Sequence, residues 1–127
     1  MSNPTSLKYA DTHEWARLED NGEITVGITD HAQNLLGDVV FAELPKVGQR
    51  FSAKEQCMLL ESVKAASDIY MPISGEISAL NANLEDSPEM INEDSFGEGW
   101  LFRFVPDNKD DLSALLSATA YEDSLDQ

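Results

Sequence analysis

The chain is short of cysteine, of positive charge and of long apolar runs, and each shortage removes a class of function. Cys57 is the one cysteine among 127 residues, so no internal disulfide can form. That fits a reducing compartment. Cys57 lies in the apolar run Cys57-Met58-Leu59-Leu60, where a buried structural thiol is expected rather than a nucleophile. Eight Lys and Arg stand against 24 Asp and Glu, a net charge of −16. Nucleic acid and anionic membrane surfaces bind clustered Lys and Arg, so the balance argues against both and favours solubility and a partner with basic patches. No run approaches the roughly 20 apolar residues of a membrane-spanning helix. The first residues, Met1-Ser2-Asn3-Pro4-Thr5-Ser6, carry neither the basic nor the apolar region of a leader. A soluble cytoplasmic protein is the expectation, with the mitochondrial matrix reserved for a processed form.

Catalytic equipment is equally scarce. The two histidines, His13 and His31, have no metal-ligand spacing, and no His/Cys cluster suits zinc. There is no Gly-x-Ser-x-Gly elbow and no phosphate-binding P-loop. Gly97-Glu98-Gly99 lacks the strand–loop–helix setting of a nucleotide fingerprint and reads as a turn. Glu14 follows His13 directly, and neighbours in a strand face opposite ways, so the two are not expected to cooperate. The expectation is a non-catalytic protein with no catalytic residue and no metal ligand.

What is present is a succession of short strands. Glu14–Leu18 and Glu23–Ile28 flank Asp20-Asn21-Gly22, a hairpin turn signal. Thr29 and Asp30 are N-cap residues, with Gln33 three after Asp30 as in a capping box, so 31–36 reads as a short helix that Gly37 ends. Strands follow at 38–44, 49–52 and 76–80, and a last one at 100–105 is stopped by Pro106. Ser87-Pro88-Glu89 predicts one helical turn. Leu112, Leu115, Leu116, Tyr121 and Leu125 recur at helical spacing, which predicts one or two helices between Lys109 and Leu125. The fold class expected is mainly β: a small sandwich or barrel-sandwich hybrid, with short peripheral helices and a C-terminal helix. At 127 residues, a single domain over 1–127 is expected.

One stretch offers chemistry. Leu60-Glu61-Ser62-Val63-Lys64-Ala65-Ala66-Ser67-Asp68 places Lys64 between two strand-like runs, at the tip of a hairpin. Ser62, Ala65, Ala66 and Ser67 are small and leave room for another protein to approach the amine. A lysine amine is a nucleophile on a long flexible stem, suited to covalent attachment. Acylation would remove its positive charge.

The run Glu61-Ser62-Val63-Lys64-Ala65-Ala66-Ser67-Asp68-Ile69-Tyr70 resembles the lipoyl-attachment motif of the glycine cleavage H-protein family. His13-Glu14-Trp15, Val26 through Gln33, Leu36-Gly37-Asp38, Phe41 through Gly48, Pro72 through Ile77, Asn81, Pro88, Asn92 and Gly99-Trp100-Leu101 resemble further family blocks in order. The resemblance runs from about Leu7 to Leu125. Departures fall at Met71, at Ser95-Phe96, and at Lys54-Glu55-Gln56, where the family usually carries a glycine. The resemblance implies a lipoyl-lysine carrier with lipoate in amide linkage to Lys64. The oxidised dithiolane would accept an aminomethyl group as the pyridoxal-phosphate-dependent glycine decarboxylase (P protein) decarboxylates glycine. The aminomethyltransferase (T protein) would pass the carbon to tetrahydrofolate and release ammonia, and dihydrolipoyl dehydrogenase (L protein) would reoxidise the dithiol. Lipoyl-attaching enzymes are implied as further partners, acting on a monomer. The loaded arm would fold back into a cleft of the carrier, with Glu14 and Asp68 as candidate arm contacts. Two other carriers compete. A biotin carrier would flank its lysine with methionines, and a 2-oxoacid dehydrogenase lipoyl domain would usually place aspartate before it. Here the neighbours are Val63 and Ala65. An unmodified β interaction module is the alternative of a different kind.

Overall fold

The computed structural model describes residues 4–125. Part of the segment that bears on a leader, and the last two residues of the expected domain, lie outside this range. Nine strands form two antiparallel sheets. In order they are β1 (Lys8–Tyr9), β2 (Glu14–Leu18), β3 (Ile24–Ile28), β4 (Val39–Glu43), β5 (Arg50–Phe51), β6 (Gln56–Ser62), β7 (Ala66–Tyr70), β8 (Gly75–Leu80) and β9 (Phe102–Pro106). The larger sheet runs β1-β2-β3-β9-β8-β5 and the smaller runs β4-β6-β7. Ile24, Val26, Ile77 and Phe104 of the larger sheet share one buried core with Val39, Met58, Leu60 and Ile69 of the smaller. That shared core makes the fold a sandwich.

The first hairpin follows its turn chemistry. Gly22 takes φ +90°, and the N–H of Gly22 donates to the Glu19 carbonyl at 3.0 Å. Every residue of β3 is buried, because both faces of the larger sheet are covered there. The inner face meets the sandwich core. The outer face carries a second cluster of Leu7, Tyr9, Trp15, Ala118 and Tyr121 beneath the C-terminal helix α4 (Ala118–Leu125). Trp15 pairs across the strands with Gly27, where a Cβ would sit 2.5 Å from the indole. Only glycine leaves room for the ring, and the indole N–H then donates to the Ser95 carbonyl at 2.9 Å.

Three further helices are short: α1 (Asp30–Leu36), α2 (Asn83–Asp86) and α3 (Met90–Glu93). Thr29 caps α1 by accepting the Ala32 N–H at 3.2 Å. Between β8 and β9 the chain makes two helical turns rather than the one expected from Ser87-Pro88-Glu89, because Leu84 and Ile91 each anchor a turn in the core. A 3-10 helix (Lys109–Ala114) precedes α4, matching the helical spacing of the tail. No helix among the described residues is long and apolar enough to cross a membrane.

Candidate functional site

Strands β6 and β7 pair in register from Leu59↔Asp68 to Glu61↔Ala66, which leaves Val63, Lys64 and Ala65 to turn the chain. Ser62 locks that turn. Its N–H donates to the Ala65 carbonyl at 2.8 Å, and its hydroxyl oxygen accepts from the N–H groups of Lys64 (3.1 Å) and Ala65 (3.0 Å). The small residues that the sequence places around the lysine therefore have different tasks: serine fixes the loop, while the alanines keep it thin. Val63 donates its N–H to the Asp38 carbonyl at 3.0 Å and ties the tip to the end of α1. Lys64 is exposed, and its stem crosses Gly37, where a Cβ would lie 2.8 Å from Lys64 Cε.

Gly37 is held from below. It has φ +80° as the C-cap of α1, and its carbonyl accepts from Asn92 Nδ2 at 2.8 Å. The same amide donates to Gln33 Oε1 at 3.1 Å, and Asn92 Oδ1 accepts the Val39 N–H at 2.8 Å. One side chain thus fastens the helix end, the glycine and the start of β4 beneath the lysine.

Beside the hairpin lies a groove of about 250 Å³. Ala65, Ala66 and Ser67 form one wall, Ala32 and Leu36 of α1 the other, and Ile28, Leu60 and Ile69 line it further in. It begins one residue after Lys64. Its volume is below the ~300–1,000 Å³ of most small-molecule sites, which suits a short aliphatic segment.

Glu14 does not line the groove. It is 1 % exposed and sits behind Thr12, which does. Its Oε1 accepts the Thr12 hydroxyl, and its Oε2 accepts the Tyr70 N–H at 3.2 Å. Burial raises this carboxyl to about 7, with the Thr12 and Tyr70 hydrogen bonds opposing the rise. Asp68 is exposed on β7 and accepts from Gln56 Nε2 at 2.9 Å. The three residues singled out in the sequence therefore occupy three settings: Lys64 at the tip, Glu14 buried behind the groove edge, and Asp68 on the open face of the hairpin. His13 and Glu14 bind separate partners, but not as strand neighbours: β2 begins at Glu14, and His13 stands before it with φ +76°. His13 Nδ1 lies 2.7 Å from the Tyr121 hydroxyl.

Gly37 is legible in the sequence as a helix stop, whereas Thr12 and Asn92 carry no such signal: Thr12 meets the carboxylate two residues on, and Asn92 acts through contacts remote in sequence. Cys57 is 7 % exposed and donates to the Ile69 carbonyl at 3.4 Å. Burial, then the nearby Glu14, pushes its thiol up to about 12, which leaves it un-ionised and inert. The His13 and His31 rings come within 5.0 Å, yet among the described residues no group of three or more His, Cys, Asp or Glu is arranged to hold a metal ion.

Fold and site together define a barrel-sandwich protein that presents one lysine on a rigid hairpin beside an apolar groove. The family model described as glycine cleavage H-protein matches residues 7–127. A glycine cleavage system H protein of Psychrobacter cryohalolentis is 62 % identical over 126 residues, covering 98 % of this chain and 100 % of the relative. One from Shewanella denitrificans is 58 % identical over 124 residues, covering 98 % and 96 %. The crystal structure of a glycine cleavage system H protein from Mycobacterium marinum superposes with a TM-score of 0.87 at 36 % identity, covering 98 % of this chain and 100 % of that one. The chain belongs to the glycine cleavage H-protein family and has the role of carrier in that system.

Proposed function

We propose that this chain is a lipoyl carrier with the group in amide linkage to Lys64, serving glycine decarboxylase, the aminomethyltransferase and dihydrolipoyl dehydrogenase in the cytoplasm. The carrying observation is an exposed lysine on a turn locked by Ser62, with its stem over Gly37 and an apolar groove starting one residue further on. A rigid base with a free amine is what an attaching enzyme must grip, and the groove suits the aliphatic end of an arm. When bound, the lipoyl group supplies a disulfide that opens as it takes up a one-carbon amine unit and closes again on reoxidation.

The chain's own residues do the rest. The Asp38 carbonyl and Asn92 hold the hairpin base still, so the tether pivots from a fixed point and raises the effective concentration of its end at each partner. Ala32, Leu36 and Ile69 exclude water from whatever rests against them. Glu14, buried behind Thr12, holds that groove residue in place through its hydroxyl. Asp68 adds a negative charge on the hairpin face. Loading the purified chain with lipoate by a lipoate–protein ligase tests the assignment. Modification should map to Lys64 and vanish in Lys64→Arg, whereas attachment elsewhere would refute it.

A further inference from the structure

We propose that Tyr121, on the C-terminal helix, is a positioning residue that holds the groove in shape from behind; this rests on the reading of the groove as the resting place of the Lys64-borne arm. Tyr121 is fully buried, and its ring stacks on Tyr9 with centroids 4.9 Å apart at 14°. Its hydroxyl lies 2.7 Å from His13 Nδ1 and 2.7 Å from Thr29 Oγ1. Thr29 Oγ1 in turn accepts the Ala32 N–H at 3.2 Å. Both ends of this chain, His13 and Ala32, line the groove.

The direction of the chain follows from counting hydrogens. Thr29 is fully buried, and among the described residues the Tyr121 oxygen is the acceptor in reach of its hydroxyl hydrogen. A buried hydroxyl uses such a partner. Tyr121 therefore accepts from Thr29 and donates to His13 Nδ1, which places the imidazole proton on Nε2. His13 also holds φ +76°, a left-handed conformation that its surroundings must sustain. One phenol thus sets the tautomer of a groove residue, anchors its ring, and steadies the N-cap of the helix that forms the opposite wall.

Tyr121→Phe keeps the ring, its stack and its burial, and removes only the hydroxyl. The hairpin is untouched, so ligase-catalysed lipoylation of Lys64 should stay within about twofold of the parent. In the unmodified protein, nitrogen-15 shifts of the His13 ring should change from a single Nε2–H tautomer to a mixture. In the lipoylated, aminomethyl-loaded protein, loss of the aminomethyl group to water should quicken by about five- to tenfold, the worth of one buried hydrogen bond. His13→Asn supplies an acceptor to the phenol and tolerates positive φ, so it should lose the group more slowly than His13→Ala, which keeps neither property. An unchanged loss rate in Tyr121→Phe, or equal rates in His13→Asn and His13→Ala, overturns the proposal. Failure of the groove reading itself looks different: parent and all variants would lose the group as fast as loaded lipoamide free in solution, and both ideas would fall.

Discussion

Glu14→Gln removes the one buried carboxyl among the described residues, which titrates near neutrality. The side chain is 1 % exposed and burial raises it from 4.5 to about 7. At ~1.4 kcal/mol per pH unit this corresponds to about 3 kcal/mol. The folded state holds the proton more tightly than the unfolded state, so the sign is fixed. Below pH ~4.5 both states are protonated and no penalty exists. The penalty grows as pH rises through the window from 4.5 to about 7 and is complete above it. Glutamine keeps an oxygen for the Tyr70 N–H and offers its amide to Thr12, without the titration. Urea unfolding of both proteins at about pH 5 and about pH 8 reads the effect as a difference, in which the background of the other acidic groups cancels. The variant should gain about 2–3 kcal/mol on the parent between the two conditions, because part of the penalty is already present at about pH 5. A difference that does not change with pH would refute the claim that burial dominates this carboxyl.

Two backbone and polar defects give further tests. Ser78 sits at the bulge between Ile77 and Ala79, and its buried hydroxyl has no hydrogen-bond partner among the described residues, so Ser78→Ala should raise stability by about 1 kcal/mol in the same unfolding assay. Lys54 holds φ +68° in the turn that the Glu55 N–H closes on the Ser52 carbonyl at 3.0 Å, so Lys54→Gly should relieve strain and raise the melting temperature, for a gain of about 0.5–1 kcal/mol.

Lys54-Glu55-Gln56 stood out as a departure from the resembling family, but nothing in the stretch announced that Lys54 itself takes the positive φ. Hairpins were legible: Asn21-Gly22 and the small residues after Lys64 encode their turns locally. The short helix after Thr29 was legible from its cap and its stop. Pairings between distant strands were not. Nothing near Phe102 or Val26 announces that β9 lies between β3 and β8. Burial of Glu14 was hidden too, because a carboxylate beside a histidine reads as exposed until Tyr70 and Thr12 close over it. The roles of Asn92 and Tyr121 were illegible in the same way, since each joins segments separated by more than 50 positions. Met71 departs from the resembling family and lies in the core, 1 % exposed, which nothing in its neighbourhood of the sequence announced.

Whether Lys64 bears the arm is decided by the intact mass of the chain purified from lipoate-replete cells, followed by peptide mapping, with glycine cleavage measured in parallel in cells carrying Lys64→Arg. A lipoyl mass increment is expected on the peptide containing Lys64, with loss of both the increment and glycine cleavage in the variant. An unmodified Lys64 together with intact glycine cleavage in Lys64→Arg cells would contradict it.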